Sequence, residues 1–157
     1  MSLPPERILV LGVGNILMGD EGVGIRVIRL LEERLSDPGT EIVDGGTGGL
    51  SLLEYFLDRD RVILVDAVLD GSPPGTVSVS KPVYGRDYPR TLVAHDIGLK
   101  DVLDAVALLD RGPEVWLVTV SVADAATPSL DLSPAVAAAL EPAVVRIIEV
   151  LTAARAR

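Results

Sequence analysis

Three apolar runs in this chain each stop at a glycine or an aspartate, and that repeated ending constrains the fold more than any other feature. Residues Arg7 to Val13 read RILVLGV and pass into Gly14 and Asn15. Glu41 to Val43 ends at Asp44-Gly45-Gly46-Thr47, and Arg61 to Val65 ends at Asp66. The first, a continuous apolar run, has the pattern of a strand covered on both faces, as in a parallel sheet with helices above and below. The intervening segments supply those helices. From Gly22 to Leu35, Val23, Val27, Leu31 and Leu35 fall four apart on one face, and Asp37-Pro38-Gly39 stops the pattern. A second helix is expected over Leu50 to Leu57.

The turn cluster Gly71-Ser72-Pro73-Pro74-Gly75 introduces an alternating fourth strand, Thr76 to Ser80, expected to be antiparallel at or near an edge. Lys81 to Thr91 reads as a surface loop. Ile97 to Leu109 is helical through Leu99, Val102, Leu103 and Val106, and Glu114 to Ser121 is the fifth strand. Val122 to Leu132 is irregular. Ser133 then caps a last helix with Pro134 at its first position, running to about Ala154 with a kink near Pro142. Strands alternating with helices predict a three-layer α/β sandwich, a mostly parallel five-stranded sheet with helices on both faces. One domain is expected over all 157 residues.

Composition removes whole classes of chemistry. With no cysteine there is no disulfide, zinc-thiolate site, iron–sulfur cluster or cysteine nucleophile. A net charge of −9 argues against a nucleic-acid partner, because neutralising phosphates requires cations. The apolar stretch Ile8 to Met18 is too short for a membrane span and runs directly into Asp20 and Glu21, so a cytoplasmic protein is expected. No G-x-S-x-G occurs. Gly12-Val13-Gly14-Asn15-Ile16-Leu17 is a partial dinucleotide fingerprint with Leu17 where the third glycine belongs. A nucleotide-binding oxidoreductase is therefore the weakest reading.

In an open α/β sheet ligands bind beyond the carboxyl ends of the strands, where the three polar endings converge. Asp20 and Glu21 lie between the first strand and its helix. Both could serve that helix, Asp20 as cap and Glu21 against the positive end, worth about 1 kcal/mol together. Alternatively one caps while the other turns into the crevice as a ligand. Asp44 and Asp66 could each brace a turn, Asp44 the more so beside two glycines. His95 is the single histidine, and a helix start beside it favours the neutral ring that a metal requires. Glu21, Asp66 and His95 together could offer two oxygens and one nitrogen, an open three-ligand set that suits nickel or zinc.

Read in order, Gly12 to Gly24 (GVGNILMGDEGVG), Asp44 to Gly49 (DGGTGG), Val65-Asp66-Ala67 and His95 to Leu99 (HDIGL) resemble the nickel-iron hydrogenase maturation endopeptidases over nearly the whole chain. The resemblance implies a phosphorylase/hydrolase-like α/β sandwich. It implies removal of a C-terminal extension from the hydrogenase large-subunit precursor, the partner, once nickel has been inserted. Glu21, Asp66 and His95 match the family's metal-binding positions and are the implied catalytic and metal-gripping residues. Asp44, Gly45, Gly46 and Thr47 match a segment implicated in substrate recognition, and Asn15 belongs with them. The nickel arrives with the substrate, with no ion permanently bound; cadmium or zinc are expected substitutes in crystals, and a monomer is expected. A nickel-dependent adaptor that binds the precursor without cutting it is the alternative. The chain departs from the family at Ser121-Val122-Ala123-Asp124, where a G-x-x-P loop is usual, which bears on one wall of the cleft.

Overall fold

The computed structural model describes residues 4–82 and 97–156. Five strands form one sheet in the order β2-β1-β3-β5-β4: β1 (Ile8–Gly12), β2 (Thr40–Asp44), β3 (Arg61–Val68), β4 (Val77–Ser80) and β5 (Glu114–Ser121). The first three and β5 are parallel, while β4 runs antiparallel against β5 at one edge. The helices are α1 (Val23–Arg34), α2 (Leu53–Phe56), α3 (Ile97–Ala107), α4 (Pro134–Ala137) and α5 (Leu140–Arg155).

Alternation along the strands divides the core in two. Ile8, Val10, Ile63, Val65, Val118 and Val120 meet α1, α4 and α5. Leu9, Leu11, Val62, Leu64, Val115 and Leu117 meet α2 and α3 through Phe56, Val102, Leu103 and Val106. Successive residues of such a strand face opposite covered layers, which is why β1 and β3 are buried end to end and, apart from Arg61 and Asp66, apolar. The expected sandwich is the one observed.

Boundaries moved where long-range pairing overrides local pattern. β3 continues three residues past Val65, because β5 extends alongside it and Asp66, Ala67 and Val68 register with Thr119, Val120 and Ser121. Asp66 is therefore inside the strand, where a strand-end position was expected. The last helix breaks at Ala138 and Ala139, not at Pro142. Pro142 has no N–H to give the carbonyl four residues earlier, that of Ala138, so the interruption falls there and the proline occupies the first turn of α5.

Two close approaches fix α1 on the sheet. A side chain on Gly24 would place its Cβ 2.5 Å from the carbonyl oxygens of both Val13 and Val65. Only glycine lets the helix start come this near the carboxyl ends of β1 and β3. Among the described residues no helix is long and apolar enough to cross a membrane.

Candidate active site

The carboxyl ends of β1, β2 and β3 are laced together by backbone hydrogen bonds. Val13 N–H donates to the Val65 carbonyl at 3.0 Å, Gly45 N–H to Gly12 at 2.8 Å and Gly14 N–H to Gly46 at 2.9 Å. The chain then turns through a 3₁₀ segment, Gly19–Gly22, before α1 begins. Gly14 has φ +142, and a Cβ there would lie 2.2 Å from the Glu21 carbonyl oxygen, so the first loop and this segment are in direct contact. The segment also packs against β3.

Glu21 and Asp66 are brought to the same edge by this arrangement, one on the 3₁₀ segment and the other on β3. Both are buried, at 4% and 0% exposure. Burying a carboxylate is costly, so two such groups at a ligand-binding edge indicate a site built for positive charge or strong donors. Asp66 accepts a 2.7 Å bond from the Ala67 N–H. Its strand neighbours in the same alternation, Val62 and Leu64, face α2 and α3, so Asp66 is on that side of the sheet. Thr119, also buried, is its register partner on β5. A hydroxyl-bearing residue in the run Val115 to Val120 was a visible signal that sequence reading passed over.

Asp20 has a different task from the one expected. The N-cap of α1 is Gly22, with no side-chain cap bond. The Asp20 carboxylate instead accepts both the N–H and the hydroxyl of Ser133, each at 2.7 Å. Ser133 consequently holds the N-cap position of α4 without capping it through its side chain. The pair ties the Glu21 segment to a wall 113 residues away in sequence. It separates the two adjacent acids, Asp20 being tied to Ser133 while Glu21 is buried.

Asp44 braces its turn, accepting from the Gly46 N–H at 2.9 Å, and its other oxygen is 3.6 Å from an Arg29 nitrogen. Asn15 accepts from the Leu17 N–H at 3.0 Å, and Thr47 is exposed. These residues, with Gly45 and Gly46, frame the edge. His95 lies outside the described residues; α3 opens at Ile97, two positions on. Among the described residues no group of three Asp, Glu, His or Cys side chains is assembled. The dinucleotide reading loses its geometry as well. β1 does not hand directly to α1, and the buried acid Glu21 stands in the turn where a pyrophosphate would need amides and no negative charge.

A family model described as hydrogenase maturation protease matches residues 25–150. Hydrogenase 2 maturation protease of Escherichia coli (strain K12) is 36% identical over 148 residues, covering 92% of this chain and 90% of that protein. The chain belongs to the hydrogenase maturation protease family. The solved structure of the hydrogenase maturating endopeptidase HybD from E. coli matches with a TM-score of 0.86 at 36% identity, over 94% of this chain and 93% of that one. A [NiFe] hydrogenase maturation protease HybD from Thermococcus kodakarensis matches with a TM-score of 0.73 at 28% identity, over 92% and 98%. As a member of the hydrogenase maturation proteases the chain is a peptidase.

Proposed function

We propose that this peptidase removes the C-terminal extension of a nickel-iron hydrogenase large-subunit precursor, and that Glu21, Asp66 and His95 grip the nickel the precursor already carries. Family membership supports the hydrogenase partner. The observation that carries the nickel-gripping step is the pair of buried carboxylates, Glu21 and Asp66, on adjoining elements at the carboxyl edge. Two carboxylate oxygens and one imidazole make a donor set suited to nickel, and they leave positions open for donors from the precursor.

His95 is assigned on sequence. It precedes α3 by two residues, and α3 packs on the Leu50–Leu52 turn that follows β2 while its Ala107 end connects through residues 108–113 to the amino end of β5. That course supports an approach of the Ile97 end of α3 to the edge holding Glu21 and Asp66. Gripping the ion fixes the peptide beside it, and positioning of this kind supplies a large part of a hydrolytic rate. A water polarised by the ion or by one carboxylate then attacks the carbonyl. Asp44 to Thr47, with Asn15, border the precursor on the β2 side.

The test is the mass of the nickel-loaded precursor after incubation with the wild-type chain and with Glu21→Gln, Asp66→Asn and His95→Ala. The wild type should release the extension. Each variant should leave the precursor intact while retaining the wild-type circular dichroism spectrum. Normal processing by any one of the three removes that residue from the site, and binding without any mass change by the wild type makes the chain an adaptor.

A further inference from the structure

A second feature lies on the other side of the Gly19–Gly22 segment. A cleft of about 650 Å³ runs between Met18–Asp20 and the wall formed by residues 123–135. Its volume is within the range of ligand-holding clefts, about 300–1,000 Å³. Met18, Leu132 and Pro134 give it an apolar floor, Asp20, Asp124 and Asp131 contribute carboxylates, and among the described residues no lysine or arginine lines it. Among the described residues none of those three acids is in an ion pair. Asp20 is hydrogen-bonded to Ser133, and Asp124 is bonded to Thr127 and to the Ala126 N–H. The Thr127 hydroxyl and the Ala126 amide hold Asp124 below the ordinary carboxylate pKa, so it is charged near neutrality. Arg26 reaches the same wall but donates to the Leu130 carbonyl at 2.6 Å.

The wall is fastened to the site at two places. Gly19 N–H donates to the Ser129 carbonyl at 2.8 Å and Ser129 N–H to Leu17 at 3.0 Å, forming a parallel bridge. Asp20 holds Ser133 at the other end. The residue next to Asp20 is Glu21, so whatever fills the cleft is adjacent to the segment that carries the site's acid. The wall also begins in the stretch, Ser121 to Asp124, where the sequence departs from the pattern it otherwise resembles.

We propose that this cleft is the specificity subsite of the peptidase, receiving an extended segment of the precursor that carries an apolar side chain and a lysine or arginine. The choice of occupant follows from charge: three carboxylates in an apolar trough, with no cation beside them among the described residues, favour a basic side chain whose alkyl stem covers the floor. The inference rests on the peptidase reading above and adds to it which precursor is accepted.

Two variants test it without touching Glu21, Asp66 or His95. Ala123→Trp fills the trough from an exposed wall position, and Asp131→Lys reverses one charge at an exposed carboxylate. In steady-state cleavage of nickel-loaded precursor, each should raise KM about tenfold with kcat within about twofold of wild type, the signature of lost uniform binding. Replacing the lysines and arginines of the precursor's cut segment singly by glutamate should yield one precursor that Asp131→Lys cuts better than the wild type does. Unchanged KM in both variants, or no such charge-swapped precursor, overturns the subsite while leaving wild-type cleavage and the peptidase reading intact. Failure of the wild type to cut any precursor removes both. A sedimentation mass that rises with concentration, and is restored to one chain by Ala123→Trp, would assign the cleft to a second copy and overturn the proposal.

Discussion

Two adjacent acids, Asp20 and Glu21, illustrate how neighbours in sequence come to different work. Their local environment in the chain is nearly identical, and either could have capped α1. What separates them is Ser133, whose N–H and hydroxyl both reach Asp20 and fix that carboxylate against the wall. That partner is 113 residues distant, which no local pattern reveals. The Asp20→Ala variant leaves the Ser133 N–H without its acceptor, and thermal or urea denaturation should show a loss of about 1–3 kcal/mol. Gly14 is a second such position. Its φ of +142 and a Cβ 2.2 Å from the Glu21 carbonyl mean that Gly14→Ala must displace the segment bearing Glu21. Precursor processing by that variant should fall well before its melting temperature suggests any loss of core. Wild-type processing by Gly14→Ala would show that the position of Glu21 is not critical.

At the scale of elements, β1 and β3 were legible because burial on both faces leaves an apolar run, and β5 has the limits its sequence suggests. The edge position and antiparallel direction of β4 follow from its alternation and the prolines before it. The true end of β3 was not legible, since Asp66 looks like a stop until β5 is known to pair beyond it. Likewise the break between α4 and α5 is displaced four residues from the proline that causes it. Gly24 reads as an unremarkable helix residue, yet it sets the distance of α1 from β1 and β3. Gly24→Ala should cost about 3 kcal/mol, the upper part of the range for overpacking, measured by chemical denaturation.

The start of β5 carries a titratable contact of its own. Burial pushes the Glu114 carboxyl up, but the Trp116 indole, Lys81 and Arg61 outweigh that effect and hold it below its ordinary value of 4.5. An unfolded chain therefore takes up this proton at a higher pH than the folded one does. The stabilisation is fully present above about pH 4.5 and is lost as pH falls through the depressed folded value. Stability measured from pH 6 down to pH 3 should decline less steeply in Glu114→Gln than in the wild type. Equal slopes would mean that Glu114 does not contribute.

Seen as a whole, the molecule brings the polar ends of strands far apart in sequence together at one edge of the sheet, and that much follows from strand order and direction alone. The sheet order β2-β1-β3-β5-β4 sets Asp44, Gly14 and Asp66 on neighbouring strands or their extensions. Chain order and apolar pattern were enough to predict that convergence. They were not enough to predict the cleft beside Glu21, because its wall is an irregular segment held by two distant fastenings. Nor could they show which carboxylate is structural. The central claim concerns the ion that the precursor brings, and it is best tested by supplying the wild-type chain with the same large-subunit precursor in two forms, nickel-loaded and nickel-free, and following the mass of each by time-resolved mass spectrometry. Loss of the extension from the nickel-loaded form alone is the expected result; equal cleavage of both forms would contradict it.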